Sequence, residues 1–403
     1  AALRTGVAVG LFAALLTTDA LAAATSDRSW LEAMVRFEVA LALAEARAGV
    51  VPPEVAATIQ RACLGAAFDA NALGRAGRLA GNPAVPLVEA IRDLLPEEVA
   101  RWAHFGATSQ DTVDTALMLV CRQVIELVLA DLSRAAKAAA GLSERHRSAP
   151  MAGRTLLQHA QPVTFGRKAA GWLIALVEAA HALHHVREHS LAVQLGGPVG
   201  TLADLGVGGP AVVKDLASTL GLGAPALPWH SDRTRVVQIA GALALCAGTA
   251  AKIALDVALL MQTEVAEAAE PWAPGRGGSS SMPHKRNPAM AVGVRAAWRH
   301  AHALHGVLLA SLPQEHERSA GPWQAEAHAL NELCRASGGA VSVVADLLGG
   351  LEVDTARMAA NLGPAFPPKA PEGWLEAAEA FVDRALAFYR EQVPVVEVVE
   401  VVE

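Results

Sequence analysis

The chain has 403 residues, of which 53% are hydrophobic, 4% aromatic and 18% charged, with a net charge of −7 at neutral pH. That length and apolar fraction suffice for a large core of Ala, Leu and Val, and so few aromatic residues favour closely packed helices. The acidic balance excludes the overall basic face of a nucleic-acid partner. Cys63, Cys121, Cys246 and Cys334 lack the spacing of a zinc site or a disulfide framework and fit a reducing cytoplasm.

At the N-terminus Arg4, the apolar run Gly6 to Leu16 and Ala20-Leu21-Ala22 imitate a cleavable signal, but Thr17, Thr18 and Asp19 interrupt it early. The run is also shorter than the ~20 residues that span a bilayer, so neither secretion nor a membrane partner is expected. Ser26 or Asp27 can cap a helix carrying Leu31, Met34, Val35, Glu38, Leu41 and Ala42, which Gly49 with Pro52 and Pro53 ends.

Next, His104-Phe105-Gly106-Ala107-Thr108-Ser109-Gln110-Asp111 precedes a long helix beginning near Thr112. Hydroxyls and N–H groups there form a place for an anion, although Ser109 or Asp111 can equally be a plain cap. Val113, Ala116, Leu117, Val120, Val124, Leu127 and Val128 keep a period near 3.6. Apolar segments at roughly 164–195, 235–268 and 289–312 are each longer than the ~11–12 residues of an average helix and read as buried on several sides. His181, His184, His185 and His189 share one helix face and read as solvated or interfacial, so no metal or cofactor is expected.

No strand pattern of any length appears before Val393, where Val and Glu alternate to Glu403 as a tail. The expectation is an all-α chain: an N-terminal helical domain at 1–103, a central long-helix bundle at 104–340, and a short C-terminal helical part at 341–403.

The densest chemistry lies from Gly277 to Pro288, within a loop at 275–288. Its glycines allow positive φ and close backbone approach, while Pro283 and Pro288 stop helix on either side. Between Pro271 and Gln314 there is no Asp or Glu, but Arg276, Lys285, Arg286, Arg295 and Arg299 are present. Positive potential concentrated in an acidic chain predicts a small polyanionic ligand.

From Gly278 to Pro288 the string matches Gly-Ser-Ser-x-Met-Pro-x-Lys-x-Asn-Pro without a break, and so resembles the signature loop of the fumarase/aspartase superfamily. That resemblance implies bond making or breaking β to a carboxylate through an aci-carboxylate. Ser279 would exchange the proton at carbon, helped by loop N–H groups and Lys285, while Lys285 and Asn287 would hold the activated carboxylate. His-x-Gly-x-Thr-Ser-x-Asp is similar to the family's carboxylate-binding segment, which gives that role to Thr108 and Ser109, with His104 beside them.

Gly153-Arg154-Thr155-Leu156-Leu157-Gln158-His159 resembles the family's Gly-Arg-Thr-His-x-Gln, with Leu156 where the pattern has its general-acid histidine. A leaving group of water or an amine needs that acid. A carboxylate, stable as an anion near neutral pH, does not.

The run Gly153 to Gly166, Trp229-His230-Ser231-Asp232-Arg233, Met261 to Glu267, Gln314 to Arg318 and Trp323 to Glu326 resemble the bacterial 3-carboxymuconate cycloisomerase branch. That branch generally has tryptophan at position 156. It implies closure of 3-carboxy-cis,cis-muconate to 4-carboxymuconolactone in the protocatechuate branch of the β-ketoadipate pathway. Substrate would be bound by Arg154, Gln158, His159, His230, Arg233 and Arg318 as well, in a homotetramer with shared sites and no cofactor. A sulfonate on the muconate remains open. An adenylosuccinate-type lyase is disfavoured by Leu156 and by Asn82-Pro83, and a non-catalytic scaffold by the intact Ser279, Lys285 and Asn287.

Overall fold

Side chains next to the backbone start and stop the helices in the computed structural model, which describes residues 10–279, 281–282, 285–363 and 371–396. Thr18 accepts the amide of Leu21 to open α1 (Asp19–Ala24), and Ser26 accepts that of Ser29 to open α2 (Asp27–Arg47). Gly49, at φ +73°, turns the chain away from α2. After α3 (Pro53–Leu64), α4 (Ala70–Ala80), α5 (Ala84–Arg92) and α6 (Glu97–Ala100) comes α7 (Ser109–Arg145). Its 37 residues extend about 55 Å at a rise of 1.5 Å each. It begins earlier than Thr112 because Thr108 is the cap, in a capping box with Asp111.

Two strands then break the helical pattern. β1 (Pro150–Thr155) and β2 (Gln158–Thr164) form an antiparallel hairpin with a register shift between Ala152 and Arg154. At that bulge a Cβ on Gly153 would lie 2.4 Å from the Gln161 carbonyl oxygen, so only glycine fits. The sequence hides this hairpin for two reasons. Neither strand alternates buried and exposed residues, and the turn residues Leu156 and Leu157 adopt φ of 50° and 66° without the Asn or Gly that ordinarily announces such a turn.

α8 (Phe165–His189) returns antiparallel to α7, followed by α9 (Gly209–Leu220) and α10 (Thr234–Leu260). β3 (Ala268–Ala269) pairs later with β4 (Glu352–Val353). α11 (Ala289–Ala310) and α12 (Pro322–Gly349) complete the bundle, α13 (Thr355–Leu362) packs on β1, and α14 (Trp374–Val396) packs on α8, adding Val382, Ala385 and Leu386 to the core.

The main core is formed by α7, α8, α10, α11 and α12, and a second core joins α2, α3, α5, the first turns of α7, and α9. α12 runs unbroken through residue 340. Of the expected tail, Val393 to Val396 continue α14 and 397–403 lie outside the described residues. Among the described residues α10 is long and apolar enough to cross a membrane, but Val236, Ile239, Leu243, Cys246 and Ala250 bury it in the bundle.

Glu45, on the buried face of α2, has neither carboxyl oxygen hydrogen-bonded within the described residues. Burial, and then the charge of Glu38, push its pKa up to about 9. The folded chain therefore keeps a proton that the unfolded chain loses in the ordinary carboxyl range, and stability falls as pH rises between those two values. Chemical denaturation across pH 5–9 should show this group removing about 1.4 kcal/mol per pH unit. Glu45→Gln should flatten that slope; an unaltered slope would assign it elsewhere.

Candidate active site

The start of α7 is organised by a buried carboxylate. Asp111 accepts the backbone amides of Thr108 (2.9 Å), Gly196 (3.1 Å) and Gly197 (3.0 Å), Nε2 of Gln194 (3.0 Å) and Nε2 of His230 (2.7 Å). A glycine is required at 197, where φ is +67° and a Cβ would meet the Gly106 carbonyl oxygen at 2.8 Å. These bonds hold Thr108, Ser109 and His230 at one helix N-terminus, where the dipole favours an anion.

His104, at φ 64°, meets Oε1 of Glu38 through Nδ1 at 2.9 Å, and the Thr112 hydroxyl donates to the same oxygen at 2.8 Å. Burial works against its charge, yet the charge and hydrogen bond of Glu38, with Asp111 behind, hold its pKa above the ordinary imidazole value. Arg318 joins this end, donating to Thr108 Oγ1 at 2.7 Å.

Arg233 belongs to the same end but is fully buried. Its guanidinium is bidentate to Asp114 at 2.8 and 2.9 Å and reaches Glu326 at 2.6 Å through Nη2 and at 3.0 Å through Nε. Trp323 Nε1 donates to Asp114 and Gln314 Nε2 to Glu326. Burial opposes the charge of Arg233, and Asp114, then Glu326, more than restore it. Its donors are thus engaged within the protein, and it acts on a ligand only through what it positions.

At the far end of α7, Arg154 forms a bidentate pair with buried Glu267 at 2.9 and 2.7 Å, and Asn361 donates to the same carboxylate at 2.9 Å. This clamps the hairpin against the turn that follows α10. Beyond the clamp, Leu156 is 96% exposed, and Leu157, Gln158 and His159 are exposed with it.

The loop before α11 is closed at its feet. The Asn287 amide donates to the Gly277 carbonyl at 2.8 Å, and Gly277, at φ +65°, has no room for a Cβ. The Glu270 carboxylate accepts the amides of Met290 and Ala291 at the start of α11, while Arg286 bridges Glu352 and the Glu270 carbonyl. Inside, the Met282 amide donates to Ser279 Oγ at 3.2 Å. Lys285 and Asn287 line a cavity of about 90 Å³ with Trp272 and Arg276. Ser280, Pro283 and His284 lie outside the described residues.

The lyase family model matches residues 15–298. A 3-carboxy-cis,cis-muconate cycloisomerase of Bradyrhizobium diazoefficiens is 47% identical over 87% of this chain and 79% of its own. A nitrosuccinate lyase of Streptomyces davaonensis is 44% identical over 88% and 77%. The crystal structure of 3-carboxy-cis,cis-muconate lactonizing enzyme from Pseudomonas putida superposes with a TM-score of 0.85 at 40% identity, covering 95% of this chain and 89% of that one. The chain belongs to the fumarase/aspartase lyase family.

A single chain of this lyase separates the site residues expected from sequence into two groups. His104, Thr108, Ser109, His230, Arg233 and Arg318 gather at the N-terminal end of α7. Arg154, Gln158, His159, Ser279, Lys285 and Asn287 lie at the other end, joined through the Arg154–Glu267 pair. Sequence reading missed the carboxylates that organise the lyase's two ends, Asp111, Asp114, Glu267, Glu270 and Glu326, as positioning groups. Their one sequence signal is an acid placed among apolar helical positions or beside a motif. Elsewhere, His181 packs edge-on against Phe388 of α14, and His185 stacks on His189 at 4.4 Å.

Proposed function

We propose that the protein closes 3-carboxy-cis,cis-muconate to 4-carboxymuconolactone. An oxygen of one terminal carboxylate of the diene bonds across to the far double bond, at the carbon β to the other terminal carboxylate, closing a five-membered lactone, and the π pair moves to the α-carbon and that other carboxylate. The Ser279 hydroxyl then delivers a proton to that carbon. Lys285 and Asn287 hold the charge as it develops, and Thr108 and Ser109, beside His104 and Arg318, seat a second carboxylate.

The observation that carries this reading is Leu156, an exposed apolar tip on a clamped hairpin where an acid would otherwise stand. In the reverse direction the carboxylate departs without a proton, so nothing at that tip has to supply one. The same observation favours a second reading, because a nitro group also leaves as a stable anion, nitrite, and one relative is a nitrosuccinate lyase.

Two ends of a ~55 Å helix cannot serve one small substrate within a single protomer. We infer a cytoplasmic homotetramer whose sites combine copies. Leu245 and Leu255 on α10 and Val292, Val307 and Leu309 on α11 are exposed on the protomer, which an assembly would cover.

The test follows ultraviolet loss of the conjugated diene with 3-carboxymuconate and 4-sulfomuconate, and fumarate formation from nitrosuccinate and adenylosuccinate. Diene loss with 3-carboxymuconate is expected; fumarate from nitrosuccinate without diene loss would replace this reading by the second. Leu156→His should give no gain in muconate turnover and leave the melting temperature nearly unchanged, since the tip is exposed. A severalfold rise in turnover would refute the leaving-group argument.

A further inference from the structure

We propose that Asn82 is a positioning residue for the substrate carboxylate, its side-chain amide turning the Ser109 hydroxyl so that the proton faces the bound anion. This rests on the reading of Ser109 as a carboxylate-binding group. The Asn82 Oδ1 accepts the backbone amides of Ala84 at 3.1 Å and Val85 at 3.4 Å. Backbone amides only donate, so the oxygen must face α5 and the NH₂ group must face away from it. That NH₂ group lies 3.2 Å from Ser109 Oγ.

A serine hydroxyl carries one proton. If its oxygen accepts from Asn82, the proton points elsewhere, toward the open N-terminus of α7, where an anion is already favoured. Without that bond the hydroxyl can turn and donate to the protein backbone instead.

The turn that presents Asn82 is fixed from both sides. Gly81, at φ +79°, ends α4, and Pro83 restricts the next φ. Gly77 lets the turn lie against α4, because a Cβ there would come 3.2 Å from both the Asn82 carbonyl oxygen and Pro83 Cα. The N-terminal layer is thereby coupled to the substrate through one amide.

Three variants and one double variant test this with 3-carboxymuconate. Asn82→Ser keeps a good capping side chain for α5 but is too short to reach Ser109. It should raise KM about tenfold with kcat within about threefold and an almost unchanged melting temperature. Ser109→Ala should raise KM similarly, and Asn82→Ser/Ser109→Ala should be no worse than Ser109→Ala alone.

Asn82→Asp, nearly isosteric and still a cap, places an acceptor and a charge beside the substrate. Its KM should be the highest and should fall as pH drops into the carboxyl range, a dependence the wild type lacks. Unchanged KM in Asn82→Ser beside a raised KM in Ser109→Ala, or effects that multiply in the double variant, would overturn the proposal. Unchanged KM in Ser109→Ala would instead overturn the reading of Ser109 itself.

Discussion

Ser279→Ala should lose at least about a thousandfold in kcat while substrate affinity stays within about tenfold. In the proposed mechanism the hydroxyl acts on the reacting carbon in the transition state, and binding is spread over several carboxylate contacts. The local geometry supports a small structural effect. Ser279 is half-buried, and its Oγ accepts a single amide, that of Met282 at 3.2 Å, within a loop whose feet are held independently by Glu270, Gly277 and Arg286. Single-turnover rates and binding by calorimetry would check both halves. Near wild-type kcat would remove Ser279 from the chemistry, and a large loss of affinity with intact kcat would make it a binding group.

The largest stability effect should come from Arg233→Met. Arg233, Asp114 and Glu326 are all buried, and the arginine is the cation against which both carboxylates are placed, with separations of 2.8 Å to Asp114 and 2.6 Å to Glu326. Removing it leaves two buried anions near each other with only the neutral donors of Trp323, Gln110 and Gln314, at a cost of about 3–5 kcal/mol. Burial already raises the pKa of Glu326, even with Arg233 in place. The triple variant Arg233→Met, Asp114→Asn, Glu326→Gln should recover much of the loss, because it removes the charges along with their partner. Denaturant midpoints would decide: a single variant as stable as wild type would show that the ion cluster contributes little.

These two predictions differ in how far the sequence could have made them. Ser279, Lys285 and Asn287 are legible because the loop's chemistry is contiguous, with glycines for backbone approach, prolines as stops and cations without nearby acids within a few residues. The helix starts at Ser26 and the long apolar segments of the bundle are likewise local signals, carried by caps and a 3.6-residue period.

Arg233 is a different case. Its sequence neighbourhood offers a cation beside His230 and Asp232, and reads as a ligand-binding group. Its true partners lie 119 residues upstream and 93 residues downstream, and no local pattern records them. The hairpin tip at Leu156 and Leu157 fails for a related reason, since an antiparallel ladder held by the Arg154–Glu267 pair sets its positive φ values, and its own residue types do not.

By itself the sequence determined the helical class and the family, and it carried the assignment of the reacting loop and of the missing acid at position 156, because each depends on residues close together along the chain. Only the tertiary structure decided which charged groups are consumed in holding the scaffold and that the site residues expected from sequence fall into two groups toward opposite ends of α7. Those outcomes depend on burial and on pairing between distant segments, where the low dielectric of the interior makes an ionised group seek a partner wherever the fold brings one.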